Sequence, residues 1–82
     1  MREWLHDAAD RIAERTGDQR DLYDIADGDV DRLLALAGAA AHMSGDRTNA
    51  PLATFLTGVA LGRHPELNVE ELARIAGGEG AA

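Results

Sequence analysis

The sequence predicts a small all-α domain of four helices, with a short helical turn between the first two. Apolar residues recur every three or four positions in four separate segments, which is the period of a helix with one buried face. Glycine, proline and asparagine stand where these segments begin or end, and no segment alternates apolar and polar residues as a half-buried strand does. We predict a single domain over residues 1–76 and, from its glycine content, a flexible tail over 77–82.

The first helix is predicted from large apolar residues that share one face, with acidic residues opposite: Trp4, Leu5, Ala8 and Ile12. Gly17 is expected to end this helix in a left-handed conformation. The segment that follows contains three larger side chains that we expect to tuck under as the short helical turn: Leu22, Tyr23 and Ile25.

The second helix is predicted to start near Asp27 or Asp29 and to carry an unusually wide apolar face. Five residues form its centre: Val30, Leu33, Leu34, Ala37 and Ala41. Three more widen it to nearly half of the cylinder: Leu36, Ala40 and Met43. A face of this width indicates either a central helix between two neighbours or a helix completed by another subunit.

The third helix is predicted to begin at Asn49 or Ala50, with Pro51 in its first turn, where the missing N–H is tolerated. Gly62 is expected to close it, and four residues form its expected core face: Leu52, Phe55, Leu56 and Val59. Gly58 lies just off that face and weakens the helix by about 1 kcal/mol relative to Ala. We therefore expect a close backbone approach there by the small residues of the second helix, 37–41.

The fourth helix is predicted from a capping box. Asn68 precedes the helix and Glu71 follows three residues later, the spacing that satisfies free N–H groups at a helix start. Its expected apolar side consists of four residues: Val69, Leu72, Ile75 and Ala76.

Charge and composition exclude several classes of function. Fifteen acidic against eight basic residues give a net charge of −7, which would repel the phosphates of a nucleic acid. No apolar run is long enough to span a membrane, and the absence of Cys excludes disulfides and thiolate metal sites. We expect a cytoplasmic protein that binds neither nucleic acid nor membrane.

Catalytic and metal motifs are not found, so we predict neither an enzyme nor a cofactor. The segment 27–31 resembles the start of a calcium loop, but Arg32 stands where such a loop needs Gly and Gly38 where it needs Glu. The three histidines lie in separate segments without metal-ligand spacing: His6, His42 and His64. A Ser44–His42 pair lacks the third group that would orient it for nucleophilic catalysis.

The polar hinge before the third helix is the candidate ligand-binding site. Arg47, Thr48 and Asn49 precede a helix N-terminus, where N–H groups and the helix dipole favour an anion such as a phosphate or carboxylate, and His42 and Ser44 lie close by in the sequence. The alternative is structural. Thr48 or Asn49 then acts as the helix cap, and Arg47 pairs with a carboxylate of the same domain.

The residues around this hinge resemble those of a known family. His42, Arg47, the triplets 50–52 and 54–56, Gly58, Ala60 and Gly62 are similar to the signature of the small helical family DUF6457, and Trp4 and Leu5 fit its start. In that family the domain occurs alone or joined to a molybdenum-cofactor guanylyltransferase. The resemblance implies an accessory role in the maturation or delivery of that cofactor, and it brings no catalytic residues.

Two functions follow as hypotheses. The first is a non-catalytic accessory or binding module, whose partner would be a molybdenum-cofactor nucleotidyltransferase or a molybdoenzyme chaperone. The alternative is a purely structural interaction domain that forms a homodimer and binds no small ligand.

Overall fold

The fold is all-α, as predicted. The structure is a computed structural model that describes residues 2–78. In chain order its elements are α1 (Glu3–Thr16), a 3₁₀ turn (Arg20–Tyr23), α2 (Asp27–Ser44), α3 (Asn49–Arg63) and α4 (Val69–Ala76). No strand occurs in this part of the chain, and none of its helices has the length and apolar character needed to cross a membrane.

The predicted helix ends are confirmed to within one residue. Gly17 has φ 76°, and its N–H donates to the Ala13 carbonyl at 2.8 Å. A positive φ at this position ends the helix, and glycine adopts it without the steric penalty that a Cβ would cause. At the start of α4, the Glu71 N–H donates to Asn68 Oδ1 at 2.8 Å. Helix α3 continues one residue past Gly62, to Arg63.

The chain forms two compact units, one up to Val30 and one from Asp31 onward. In the first unit the 3₁₀ turn packs on α1. Arg20 holds this contact: its guanidinium donates to the carboxylates of Asp10 and Asp24 and to the carbonyl of His6. The hydrogen bond to Asp10 is the main reason why the pKa of Arg20 is raised above its ordinary value.

The buried face of α1 differs from the predicted one. Ala9 and Ala13 are buried, whereas Trp4 and Ile12, expected in the core, are exposed. The bonds from Arg20 to Asp10 and to the His6 carbonyl join the 3₁₀ turn to this helix. Trp4 instead lies near the guanidinium of Arg11, whose Cζ is 6.0 Å from the ring centroid, within the range of a cation–π contact.

In the second unit α3 packs against α4, and α2 is tied to α4 by an ion pair. Arg32 Nη2 lies 3.6 Å from Glu70 Oε2. Leu36 is the one large apolar side chain that is buried in residues 2–78, with 3% of its surface exposed, and its Cδ1 lies beside Gly77. Leu36 was predicted only to widen the apolar face of α2, but it is the one residue of that helix that is fully buried.

Helix α3 is turned the opposite way from the prediction. Its expected core face is exposed: Leu52 by 58%, Phe55 by 68%, Leu56 by 66% and Val59 by 44%. The other side of the helix faces inward, and Thr57 there is only 4% exposed. Its hydroxyl donates to the Ala53 carbonyl at 3.0 Å, so a threonine can be buried without an unsatisfied polar group.

Four other large residues predicted to face inward are exposed: Leu22 of the 3₁₀ turn, Leu34 and Met43 of α2, and Ile75 of α4. Helix α2 buries the side that carries Leu36, which turns Leu34 outward. Met43 lies two turns after Leu36 on the same side of the helix, but it is exposed in the last turn. In the described part of the second unit only Leu36 and Thr57 are fully buried, and so small a core leaves large apolar side chains at the surface.

The expected close approach at Gly58 is wrong. A Cβ placed on Gly58 would meet no atom within 4 Å, so the small residues of α2 do not need this glycine for packing.

Gly58→Ala is therefore expected to stabilise the isolated chain by about 1 kcal/mol, the difference in helix propensity between the two residues. Urea unfolding followed by circular dichroism at low protein concentration measures the change. Gly17→Ala is the control that should destabilise, because Gly17 has a positive φ. A loss of stability in Gly58→Ala would contradict the open surroundings of this residue.

The boundaries of the domain remain a prediction. Of the predicted tail, Gly77 and Gly78 continue the turn after α4, with N–H groups that donate to the carbonyls of Ala73 and Ile75 at 2.9 and 3.0 Å. Residues 79–82 lie outside the described part of the chain.

Candidate functional site at the hinge and on helix three

The hinge between α2 and α3 is a tight turn whose backbone is set by one glycine. Helix α2 ends at Ser44, and Gly45 follows with φ 73°. The Gly45 N–H donates to the Ala41 carbonyl at 3.1 Å, which closes the last turn of the helix. The four residues from Asp46 to Asn49 then lead from this turn into α3.

Asp46, which was not among the predicted site residues, caps this entrance. Its Oδ1 accepts hydrogen bonds from the Thr48 N–H at 2.9 Å and from the Thr48 hydroxyl at 2.6 Å. The bond from the hydroxyl, and then the bond from the backbone, lower the pKa of Asp46 below its ordinary value. Thr48 occupies the position before the helix, but its side chain caps nothing and donates to Asp46 instead.

Three backbone donors at the start of α3 are already engaged. Besides the Thr48 N–H, the Asn49 N–H donates to the Asp46 carbonyl at 3.1 Å, and the Ala50 N–H donates to the Arg47 carbonyl at 3.2 Å. Pro51 has no N–H. An anion bound at these three N–H groups would have to displace the bonds and approach the carboxylate of Asp46, which disfavours the usual attraction of anions to a helix start.

Ser44 is bonded on the other side of the turn. Its hydroxyl donates to the Ala40 carbonyl at 2.6 Å and also lies 3.2 Å from the Asp46 carbonyl and 3.2 Å from the Asp46 N–H. These contacts use its donor and acceptor within the turn. His42 is exposed in the last turn of α2, and no hydrogen bond joins it to Ser44 in the described chain. The two residues therefore form no nucleophile–base pair.

The Arg47 side chain, unlike the Arg47 carbonyl, takes no part in the hydrogen bonds of the turn. Its side chain is exposed, and no carboxylate in residues 2–78 forms an ion pair with it. The expected structural partner of Arg47 is thus not found in this range. Ligand binding by Arg47, Thr48, Asn49, His42 and Ser44 stays a prediction, and the geometry leaves it to depend on the Arg47 guanidinium.

Replacement of Thr48 by Val tests the cap at Asp46. The loss of the hydroxyl donor is expected to bring the pKa of Asp46 back toward its ordinary value of 3.8, because the strongest cause of its lowering is removed. An NMR titration of the Asp46 carboxyl carbon in both proteins measures the shift. An unchanged titration midpoint would show that the Thr48 hydroxyl does not bind Asp46.

The same cap gives stability a definite pH dependence. A carboxyl whose pKa is lower in the folded state stabilises the fold above its unfolded pKa, and this contribution disappears as the pH falls through the folded pKa. The Tm of Asp46→Ala should thus lie below that of the wild type at neutral pH, and the difference should shrink below about pH 4.

A shallow groove between α2 and α4 is a second feature of this unit. Its volume is about 370 Å³, and its floor is made of small and apolar residues: Ala35, Leu36, Ala39, Ala73 and Gly77. The Arg32–Glu70 ion pair and Arg74 form its rim.

In the described chain no three His, Asp or Glu side chains come together in a way that could hold a metal ion.

The exposed side of α3 is the most distinctive surface of the second unit. We name it the α3 apolar face and define it by four residues: Leu52, Phe55, Leu56 and Val59. No charged residue occurs from Asn49 to Gly62, so this face has no charge of its own. Its residues were recognised from the sequence as a set, but as core and not as surface.

The comparisons with known proteins give a family and no closer relative. Neither the curated proteins nor the solved structures include one that matches this chain. The model of a family described as a domain of unknown function, DUF6457, matches residues 1–81. The chain therefore belongs to the DUF6457 family, as the resemblance in its third helix predicted.

Proposed function

We propose that this protein is a non-catalytic accessory module that acts by binding another protein through the α3 apolar face. One observation carries the proposal: α3 turns Thr57 inward and Leu52, Phe55 and Leu56 outward. Burial of a large apolar side chain stabilises a protein by about 1.5–3 kcal/mol, so a helix that exposes such residues and buries a threonine gives up this gain within its own chain. A partner surface that covers the α3 apolar face buries these side chains and provides the stabilisation that the chain alone does not obtain from them.

The chemistry of the face defines the partner surface. Because no charge lies between Asn49 and Gly62, a charged partner group placed against this face would lose its water without gaining an ion pair. The partner surface that is complementary to the α3 apolar face is therefore apolar and uncharged at its centre. An amphipathic helix laid along α3 supplies such a surface, with anchors spaced to meet Leu52, Phe55 and Val59.

The family resemblance supports a specific partner. The resemblance implies that this domain is joined to a molybdenum-cofactor guanylyltransferase in some proteins, and two functions that are joined in one chain in some proteins are commonly performed by contacting proteins in others. We propose the guanylyltransferase of the same organism as the partner, with a molybdoenzyme chaperone as the second choice. The role would be in the maturation or delivery of the cofactor.

Titration calorimetry with the purified guanylyltransferase tests this function. The wild-type chain is expected to bind, and Leu56→Glu is expected to abolish binding, because it places a carboxylate in the centre of the face. Ile75→Glu is the matched control: it introduces the same charge at an exposed apolar residue of α4, and it should bind like the wild type. Absence of wild-type binding to both proposed partners, or undiminished binding by Leu56→Glu, would refute the proposal.

A further inference from the structure

We infer that in the free protein a second copy of this chain covers the α3 apolar face, an inference that rests on the proposed use of this face as a binding surface. Three features of the chain support this occupant: the shape of α3, the distribution of charge along the sequence and the size of the exposed apolar area.

The shape of α3 is complementary to itself. Residues four apart line up along a helix, so Phe55 and Val59 form a ridge, and Gly58 and Gly62 form the neighbouring row. A Cβ placed on either glycine would meet no atom within 4 Å, so this row is an open groove. Two copies related by a two-fold axis place the ridge of each in the groove of the other, which is the condition for an isologous dimer.

The distribution of charge favours the same arrangement. A chain with a net charge of −7 repels its own copies, so self-association needs a surface without acidic residues. The longest stretch that lacks Asp and Glu runs from Arg47 to Pro65 and contains the whole of α3. The face that has the shape to pair with itself is thus also the one where like-charge repulsion between two copies is weakest.

The exposed area indicates a weak dimer. Stable complexes bury roughly 800 Å² on each partner, whereas an apolar patch of four half-exposed side chains offers about half of that. We therefore expect a reversible dimer with a Kd on the order of micromolar or weaker. Such a dimer shields the apolar face in the free protein and yields to a partner that binds the face more tightly.

Sedimentation equilibrium of the full chain, from about 1 µM to about 1 mM, tests this inference. The wild type is expected to show a monomer–dimer equilibrium. Gly58→Leu is expected to weaken the dimer at least tenfold, because the new side chain fills the groove, while the open surroundings of Gly58 let the monomer fold normally. Ile75→Glu, outside the face, should dimerise like the wild type.

The two experiments can separate the failure of the dimer from the failure of the proposed function. A wild type that is monomeric up to about 1 mM, or a Gly58→Leu variant that dimerises as well as the wild type, overturns the dimer. If the monomeric wild type still binds the guanylyltransferase in a Leu56-dependent way, the proposed function stands without the dimer. If the chain dimerises through Gly58 but binds neither proposed partner, the dimer stands and the proposed function fails.

Discussion

Thr57→Glu is expected to unfold the protein, whereas Leu56→Glu at the neighbouring position is expected to leave the monomer folded. Thr57 is 4% exposed, so a glutamate there would bury a carboxylate without a partner. The penalty for an unpaired buried charge is several kcal/mol, comparable with the roughly 5 kcal/mol that holds a small domain together. At position 56 the carboxylate would point into water, where substitutions change stability by about 0.5 kcal/mol or less.

Circular dichroism and urea unfolding at low micromolar concentration measure both variants, and the low concentration keeps self-association from affecting the measured stability. Thr57→Val is a further control, since it keeps the shape of the side chain and should remain folded. The opposite outcome, with Leu56→Glu unfolded and Thr57→Glu stable, would mean that α3 is oriented as its hydropathy suggests and that the α3 apolar face is an internal core.

The helices could be predicted from the sequence because their ends depend on local interactions. Gly17 adopts a left-handed conformation that other residues avoid, and Asn68 bonds an N–H three residues ahead. Neither effect requires knowledge of the tertiary structure. The number of helices, their order and their bounds follow from signals of this kind.

The choice of buried face could not be predicted, because it depends on what lies opposite each helix. Hydropathy alone places Phe55 inside and Thr57 outside. The hydrogen bond from the Thr57 hydroxyl to the Ala53 carbonyl removes most of the polar penalty of burial, which makes threonine an acceptable small core residue. The periodicity therefore identified the apolar side of α3, but it could not show that this side is exposed.

The hinge was predicted in position but not in detail. Its polar residues and the proline of α3 marked a turn, yet Asp46 was overlooked in favour of Arg47 and Thr48. The overlooked signal was an Asp placed two residues before Thr48, the spacing at which a carboxylate accepts the N–H of a turn. Because Asp46 supplies the negative charge at the start of α3, the hinge is better explained as a cap than as a site for an external anion.

Leu36→Ala is expected to destabilise the protein by about 2–5 kcal/mol, the usual range for truncation of a buried leucine. Leu36 is 3% exposed and lies beside Gly77, so the second unit has no other large apolar side chain buried to this degree among the described residues. For a domain of this size each kcal/mol corresponds to roughly 4–8 °C in Tm. We therefore expect a variant that is largely unfolded at physiological temperature.

Leu34→Ala is the matched control, because Leu34 lies in the same helix but is exposed, and its truncation should change stability by about 0.5 kcal/mol or less. Thermal unfolding of both variants at the same low concentration measures the contrast. Equal losses would indicate that Leu34 is also part of a core. A large loss in Leu36→Ala alone would show that the second unit depends on this one buried leucine, whereas the large side chains of α3 are exposed and contribute little to its stability.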